Sequence, residues 1–262
     1  MNWQKLMLTD KNVPKEDYCV VSLSGGKDST AMLLMMIEKD MRIDEIIFCD
    51  TTVEFPEMYE HLNSLEEYIG RKITILKSEK DFEYYLLHHK KIRGKYMDDI
   101  GYSFPWMRSR WCTNELKTKV INKYFREKSL ECNVIHYIGI AYDEADRVKD
   151  KKEGYKYPLY EWGVTEKQAL EYCYSKGFDW GGLYERMDRV SCWVCPLQKI
   201  GDVRNLYENH KELWLKLKEW QSQTWKPFKD FKTVEEYEKR FEWEKANPDK
   251  RFYWKYIESK EI

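Results

Sequence analysis

Residues 18–34 read YCVVSLSGGKDSTAMLL and contain three local signals in immediate succession. Residues 18–24 are mostly apolar and β-branched, which predicts a buried strand. Residues 28–39 contain the helix formers Ala, Leu and Met after a polar start, which predicts a helix. The glycine pair between them marks a loop that joins the strand directly to the helix.

The same alternation continues along the chain. Further strands are predicted at residues 43–50, 72–77 and 134–141, and further helices at 56–69 and 114–128. Alternating strands and helices predict an α/β fold, a parallel sheet with helices on both faces. In such sheets, ligands bind at the carboxyl ends of the strands, which is where the glycine loop falls.

The loop SGGKDST has the residue types that an anion site needs. Two glycines allow bare backbone to approach a ligand closely. Free amides at the start of the following helix favour a phosphate, and a lysine and hydroxyl groups add donors. An acid beside a phosphate is expected where Mg²⁺ binds. The candidate nucleotide-binding residues of the loop are Ser24, Gly25, Gly26, Lys27, Asp28, Ser29 and Thr30.

Two other phosphate-binding loops are excluded by their spacing. A Walker A loop ending at Lys27 would need Gly at position 21 and Ser or Thr at position 28, where this chain has Val21 and Asp28. A dinucleotide-binding loop needs alternating glycines and a later third one, which the adjacent pair does not provide.

The charge balance limits the classes of partner. The 45 Lys and Arg residues nearly cancel the 46 Asp and Glu residues, so the formal net charge is -1. Proteins that coat phosphate backbones usually have a marked basic excess. Broad affinity for nucleic acid is therefore not expected, although a local basic patch is compatible with this balance.

The sequence contains no signal for a membrane or an oxidising compartment. The longest apolar run, residues 31–37, is too short to span a bilayer, and the amino terminus does not resemble a signal peptide. We therefore expect a cytoplasmic protein with no membrane partner. There the seven cysteines are not expected to form disulfides, and some are candidates for metal binding.

The glycine loop, taken with four other motifs, resembles the pyrophosphate-binding loop (PP-loop) of the ATP-pyrophosphatase, or adenine nucleotide alpha hydrolase, superfamily. The branch it resembles is the phosphoadenosine phosphosulfate (PAPS) reductase family. The other motifs are CDTT at 49–52 with FPE at 55–57, WCT at 111–113 with LK at 116–117, GIA at 139–141 with DE at 143–144 and Arg147, and Cys192-x-x-Cys195.

This resemblance implies an adenine nucleotide alpha hydrolase-like fold. We expect residues 1–160 to form a PP-loop nucleotide-binding α/β domain. Residues 161–262 are rich in Trp and Tyr and have helical patterns at 165–176, 202–221 and 233–245. We expect them to form a helical region that contains the Cys-x-x-Cys pair and packs on the core.

Two polar residues outside the loop each have two interpretations. The resemblance implies that Arg147 contacts phosphate or sulfate, but an ion pair with Asp143 or Glu144 is the alternative. Asp50 is expected either to contact the nucleotide or to cap a turn.

Basic residues near position 110 form a further candidate group. Lys117 and Arg110, together with Arg108, would line an anion pocket, or would otherwise be solvated. The candidate catalytic residues are Lys27, Asp28, Lys117 and Arg147.

The chain departs from the reductases at its carboxyl terminus. Members of the superfamily mostly attack the α-phosphate of ATP and release pyrophosphate, whereas reductases attack the sulfur of a sulfonucleotide with a cysteine in a carboxyl-terminal tail. No cysteine follows Cys195 in this sequence. Because attack at sulfur needs a thiolate, we expect adenylation of a substrate followed by sulfur transfer, as in nucleic-acid thiolation or phosphorothioation.

Two other functions stay open. The chain would act as a reductase of PAPS or adenosine phosphosulfate (APS) if an external thiol supplied the nucleophile, or as a non-catalytic nucleotide-binding regulatory subunit. The expected partners are an adenine nucleotide, a nucleic-acid or small-molecule sulfur acceptor, and a protein that donates sulfur. The sequence does not distinguish ATP from a sulfonucleotide, and it does not specify the oligomeric state.

Three cysteines are candidate ligands of a [4Fe–4S] cluster. Cys192 and Cys195 have the spacing of a ligand pair. Cluster-containing sulfonucleotide reductases have a tandem Cys-Cys upstream of such a pair; here Cys112 matches the second of the tandem and Trp111 replaces the first. Three thiolates would leave one iron open, which suits sulfur delivery.

Zinc with His210 as a further ligand, or inert buried thiols, are the alternatives for this group. The other four cysteines are expected to be packing residues: Cys19, Cys49, Cys132 and Cys173.

Overall fold

The computed structural model describes residues 15–90, 100–148, 153–187 and 189–258. It confirms the predicted α/β architecture. Five strands form one parallel sheet in the order β3-β2-β1-β4-β5. Their bounds are β1 Asp17–Leu23, β2 Glu45–Asp50, β3 Thr74–Lys77, β4 Asn133–Ile138 and β5 Tyr155–Lys156.

The central strand β1 is hydrogen-bonded on both edges. Its residues Val20 to Leu23 pair with Glu45 to Phe48 of β2, and its residues Asp17 to Ser22 pair with Asn133 to Ile138 of β4. Val20 and Val21 are fully buried, as expected for a strand covered on both faces. The parallel register brings the carboxyl ends of β1 and β4 to the same edge of the sheet.

Helix α2 shows how local signals place the ends of a helix. Helix α2 begins at Pro56, because proline suits the first turn, and it ends before Gly70, whose φ of 63° favours glycine. The ten helices are α1 Lys27–Glu38, α2 Pro56–Ile69, α3 Lys119–Lys128, α4 Pro158–Glu161, α5 Glu166–Ser175, α6 Leu183–Arg186, α7 Ile200–Asn209, α8 Lys211–Gln223, α9 Val234–Ala246 and α10 Lys255–Glu258, counted over the described residues.

Shorter helical turns lie between them. Residues Tyr84–His88 and Thr113–Thr118 form π-helical turns, and the second of these leads directly into α3. Residues Tyr142–Arg147 and Trp180–Gly182 form 3₁₀ turns. None of the helices in the described ranges is long and apolar enough to cross a membrane.

Two sequence predictions need correction. The single helix expected at 202–221 is two helices, because His210 has a non-helical backbone (φ -128°, ψ 62°) and its ring is hydrogen-bonded to Glu57. The strand expected at 134–141 ends at Ile138, so that 139–141 form a loop. The short strand β5 was not predicted.

The described residues form two compact units, each made of separate stretches of chain. Unit 1 contains residues 15–48, 72–74, 121–148 and 153–172. Unit 2 contains residues 49–71, 75–90, 100–120, 173–187 and 189–258. The predicted division into 1–160 and 161–262 stays a prediction.

Candidate functional site

The glycine loop in unit 1 has the geometry of an anion site. Gly25 has a φ of 78°, a conformation that favours glycine, and Gly26 is the N-cap of α1 with extended backbone. No side chain caps the amino terminus of α1 at Gly26 among the described residues. The positive end of a twelve-residue helix therefore begins at this loop, and the N-cap residue itself provides no side chain to cap it.

Two serines hold the loop in shape. The Ser29 hydroxyl accepts a hydrogen bond from the Ser24 amide at 3.0 Å and donates to the Gly26 carbonyl at 3.1 Å. Ser29 and Thr30 are both buried at the start of α1. The Ser29 hydroxyl thus has a structural partner inside the loop, and its contact with a phosphate stays a prediction, as does that of Thr30.

Gly139 lets the loop after β4 lie directly against the start of α1. A Cβ at Gly139 would stand 2.8 Å from both the Cα and the amide nitrogen of Ser29, and 3.0 Å from the carbonyl carbon of Asp28. These are backbone atoms, which cannot turn aside. Gly139 of the GIA motif at 139–141 therefore allows the close contact between this segment and the first turn of α1.

Lys27 and Asp28 belong to a small charged group. The Lys27 ammonium lies 3.0 Å from Asp28 Oδ2 and 2.7 Å from Glu166 Oε2. Burial lowers the pKa of Lys27, but Glu166 and Asp28 raise it by more, so the net pKa is above its ordinary value. Sequence reasoning missed Glu166, which lies at the start of α5 and has no motif that marks it.

Asp28 has one oxygen that suits a cation. Its Oδ1 atom is buried and has no hydrogen-bond partner in the described part of the chain. Burial raises the pKa of Asp28 above its usual range, although Lys27 opposes this rise. A buried carboxylate oxygen without a donor costs free energy unless a cation or a water occupies the position, so this residue fits the expected Mg²⁺ ligand.

Arg147 forms the ion pair that was the alternative interpretation. Its Nη1 atom donates to Glu144 Oε1 at 2.6 Å, and the side chain is more than half exposed. The neighbouring Asp143 accepts a hydrogen bond from the Glu166 amide at 3.0 Å. The contact between Arg147 and a phosphate or sulfate stays a prediction.

Asp50, in unit 2, caps the turn that follows β2. Its Oδ1 atom accepts hydrogen bonds from the Thr52 amide at 2.7 Å and from the Tyr59 hydroxyl at 2.8 Å. Lys77 lies 3.5 Å from its other oxygen. Thr52 has a φ of 67°, an uncommon conformation for threonine that this cap supports. A nucleotide contact by Asp50 stays a prediction.

A second polar group in unit 2 surrounds the buried Glu54. Its Oε1 atom lies 2.7 Å from the Thr51 hydroxyl, 3.5 Å from Cys192 Sγ and 3.7 Å from Lys117 Nζ. Burial lowers the pKa of Lys117, but Cys192 and Glu54 raise it by more, so Lys117 is held as an ammonium. Sequence reasoning found Lys117 and Cys192, included Thr51 only as part of the CDTT motif, and missed Glu54.

The three candidate ligand cysteines, called the cysteine group below, all lie in unit 2. Cys192 and Cys195 bracket a tight turn in which the Cys195 amide donates to the Cys192 carbonyl at 3.0 Å. Burial raises the pKa of both the Cys112 and Cys192 thiols, and the exposed Arg110 partly offsets the rise at Cys112.

These cysteines do not form a site for a single metal ion. In the part of the chain that the structure describes, no three His, Cys, Asp or Glu side chains are placed to hold one ion. His210, the candidate fourth ligand of zinc, is bonded to Glu57 at 2.7 Å and packs on Phe55. A [4Fe–4S] cluster requires a different geometry, because each thiolate binds a different iron and the sulfur atoms stand further apart than they do around a single ion.

The remaining cysteines have the surroundings of packing residues. All seven cysteines are free thiols. Cys19 and Cys173 are buried. Cys49 donates to the Leu116 carbonyl and Cys132 to the Lys128 carbonyl, each at 3.1 Å. Burial raises the pKa of Cys49 to about 11, so this thiol stays protonated.

The family model of the phosphoadenosine phosphosulfate reductase domain matches residues 18–205. An uncharacterized protein of Methanocaldococcus jannaschii is 26% identical over 215 residues, which are 75% of this chain and 40% of the relative. An uncharacterized nin region protein of Escherichia phage lambda is 28% identical over 166 residues, 58% of this chain and 57% of the relative. The chain thus spans about half the length of the curated relatives it matches.

Two solved structures are similar to the chain. The phosphoadenylyl-sulfate (PAPS) reductase from Candida auris, in a phosphate complex, has 14% sequence identity and a TM-score of 0.44, over 70% of this chain and 83% of that one. The U34-tRNA thiolase NcsA from Methanococcus maripaludis, with its [4Fe-4S] cluster, has 16% identity and a TM-score of 0.41, over 91% of this chain and 77% of that one.

Proposed function

Because the chain belongs to the phosphoadenosine phosphosulfate reductase domain family, we propose that it is an enzyme that binds ATP on the loop at 24–30 and activates a substrate for sulfur transfer. An oxygen of the acceptor attacks the α-phosphorus of ATP, the bond to the bridging oxygen breaks, and pyrophosphate leaves. A sulfur nucleophile then displaces AMP from the adenylated acceptor. The acceptor is a nucleic acid, and a partner protein supplies the sulfur.

The main support for nucleotide binding is the buried Oδ1 atom of Asp28, which has no hydrogen-bond partner among the described residues. It lies in the first turn of α1, whose amino terminus has no side-chain cap at Gly26. An anion at the helix end and a cation at Asp28 would satisfy both features. Mg²⁺ bound to a polyphosphate supplies that pair of charges.

Each charged residue of the loop has a role in this proposal. Lys27 neutralises charge on the phosphates, and Asp28 holds Mg²⁺, which would polarise the phosphate oxygens. Arg147 would exchange its partially exposed Glu144 contact for a phosphate, a change that costs little because such ion pairs are weak. Lys117 and Arg110 are proposed to bind further anionic groups of the substrates.

The sulfur part of the proposal rests on the cysteine group. We assign Cys112, Cys192 and Cys195 as the ligands of a [4Fe–4S] cluster whose fourth iron is open to exogenous sulfur. The turn at 192–195 presents two of the thiols from one rigid segment, because Trp193 and Val194 are buried. The cluster would bind and deliver sulfide, while Lys117 and Glu54 order the surroundings of Cys192.

Reduction of PAPS or APS is the second candidate, and the family match favours it. It would need a thiol from another protein, since no cysteine follows Cys195 in the sequence. That thiolate would attack the sulfur atom and release the nucleotide, and a second thiol would then release sulfite and form a disulfide. A non-catalytic regulatory subunit would bind nucleotide and form neither set of products.

Product analysis separates these functions. Anaerobically purified protein is incubated with Mg²⁺, RNA and sulfide, and either ATP or PAPS with a dithiol. We expect AMP and pyrophosphate from ATP, and no sulfite from PAPS. Sulfite from PAPS without pyrophosphate from ATP would assign the chain as a reductase instead.

The Asp28→Asn variant should lose pyrophosphate release. The matched control is Asp40→Asn, at the other end of α1, where the residue is exposed and its φ of 50° suits asparagine. Equal loss of activity in both variants would indicate damage to the helix and would count against the assigned role of Asp28.

A further inference from the structure

An exposed surface of unit 2 combines aromatic and basic side chains. We call it the aromatic-basic surface, and its members are Trp106, Met107, Arg108, Arg110, Trp225 and Lys226. Trp106 is 43% exposed, Met107 78% and Trp225 53%, whereas most of the tryptophans in unit 2 that the structure describes are buried. Exposed apolar side chains that cluster and are rimmed by polar or charged groups mark a candidate binding surface.

Backbone contacts hold this surface in place. Trp106 and Ser109 close a tight turn, in which the Ser109 amide donates to the Trp106 carbonyl at 2.9 Å. A second segment joins the first: the Lys226 amide donates to Ser103 Oγ at 3.1 Å, and the Trp225 indole donates to the Gly101 carbonyl at 3.4 Å. The exposed rings are therefore presented from fixed backbone.

The chemistry of the surface matches unpaired nucleotides. The Lys226 ammonium lies 4.4 Å from the centroid of the Trp106 ring, so a cation and an aromatic ring stand side by side on this surface. Exposed aromatic rings stack on bases, and neighbouring lysines and arginines bind the phosphates between them. Arg108 and Arg110 are exposed on the same turn. An acidic peptide would use the charges but would leave the tryptophan faces without a matching partner.

The surface borders the cysteine group. Arg110 lies only two positions before Cys112 in the chain. On the other segment, Lys229 donates to the carbonyl of Pro196 at 2.9 Å, and Pro196 directly follows Cys195. A strand bound on this surface would therefore lie beside the thiols that we assign to sulfur delivery.

We propose that the aromatic-basic surface binds an unpaired segment of RNA and presents it to the cysteine group. This inference rests on the proposed function, in which the sulfur acceptor is a nucleic acid. The near-neutral chain charge of -1 agrees with a small local contact and not with broad coating of a duplex. Unpaired bases are commonly offered by loops of folded RNA, whereas cellular DNA is mostly duplex.

The test measures binding of a fluorescein-labelled, unstructured RNA of about twelve nucleotides by anisotropy, across a salt series. Trp106→Ala should weaken binding by about tenfold, the effect of losing one stacked base. Arg108→Ala should reduce the slope of log affinity against log salt by about 0.7, the value for one phosphate contact to a single strand.

A matched control exists in unit 1. Lys39 lies 5.1 Å from the centroid of the Trp162 ring, which gives the same kind of cation and ring pairing in the other unit. Trp162→Ala should leave the affinity for RNA unchanged. Thermal melts of both tryptophan variants show whether each is folded.

Several outcomes would overturn the inference. These are absence of RNA binding by the wild type, equal weakening by Trp106→Ala and Trp162→Ala, or an affinity for duplex RNA or single-stranded DNA that equals or exceeds that for the unpaired RNA. Calorimetry with ATP on the same proteins keeps the two proposals separate. If the wild type binds ATP and Trp106→Ala leaves the RNA affinity unchanged, only the RNA surface is disproved. If the wild type does not bind ATP, the proposed function is disproved.

Discussion

Replacing Gly139 with alanine adds one methyl group behind the nucleotide loop. Its carbon would stand 2.8 Å from the Cα and amide nitrogen of Ser29. Non-bonded carbon atoms prefer a separation of about 3.5–4.0 Å, so the start of α1 would have to move by about 1 Å. The atoms in the way belong to backbone, so no side-chain rotation can relieve the contact.

The shift should affect binding more than folding. Overpacking of this kind costs about 1–3 kcal/mol of stability, which a folded domain can often tolerate. A 1 Å displacement would misalign the amides at the start of α1, and each hydrogen bond to a charged group contributes about 1.5–3 kcal/mol. Losing one or two of them predicts that the Kd for Mg·ATP rises by at least about tenfold in calorimetry.

Gly201→Ala is the control for this experiment. Gly201 lies near the start of α7, and an added Cβ there would meet nothing within 4 Å. This variant should bind Mg·ATP with the wild-type Kd and melt at the wild-type temperature or slightly above it. Wild-type affinity in a folded Gly139→Ala protein would contradict this prediction, because the loop would then not be positioned by this contact or would not bind the nucleotide.

Four further results are expected. Asp28→Asn should abolish turnover while the melting temperature stays level or rises, because burial of the charged carboxylate is costly in the free protein. Glu166→Gln should tighten ATP binding about two- to fivefold in calorimetry, because it removes a partly exposed competitor for the loop lysine. Cys192→Ala should lower the iron and sulfide content of anaerobically purified protein, while Cys132→Ala should not; full iron in the first variant would contradict the ligand assignment. Burial lowers the pKa of His136 to about 4 from an ordinary value of 6.5. As the pH falls below 6.5, this histidine therefore becomes protonated in the unfolded chain while it stays neutral in the folded chain. Stability should fall by about 2 kcal/mol between about pH 7.5 and about pH 5 through this residue, and urea unfolding of His136→Gln should lack that loss.

Local patterns were sufficient for four of the five strands and for most of the helices in the described residues. Helix α2 was predicted at 56–69 and runs over Pro56–Ile69, because proline and glycine mark its two ends in the sequence itself. Strand β1 was predicted one residue late at each end, because a run of apolar residues does not mark where the hydrogen bonds between strands begin and end.

Contacts between distant residues could not be predicted in this way. Glu54 meets Cys192 across 138 positions, and Lys27 meets Glu166 across 139. Neither acid belongs to a motif, so only the folded chain shows that they share a site with residues the sequence had marked. The break between α7 and α8 at His210 also depends on a distant contact. The His210 ring is hydrogen-bonded to Glu57, 153 positions away in the sequence, and this contact overrides the local preference for helix.

In the proposed reaction, ATP is cleaved between its α- and β-phosphates at the loop. Two analogues of ATP test it, one with a methylene group between the α- and β-phosphorus atoms and one with it between the β- and γ-phosphorus atoms. With Mg²⁺, RNA and sulfide, we expect the protein to release methylenediphosphonate and AMP from the second analogue and to leave the first intact. Release of inorganic phosphate from the first analogue, with the second left intact, would contradict it.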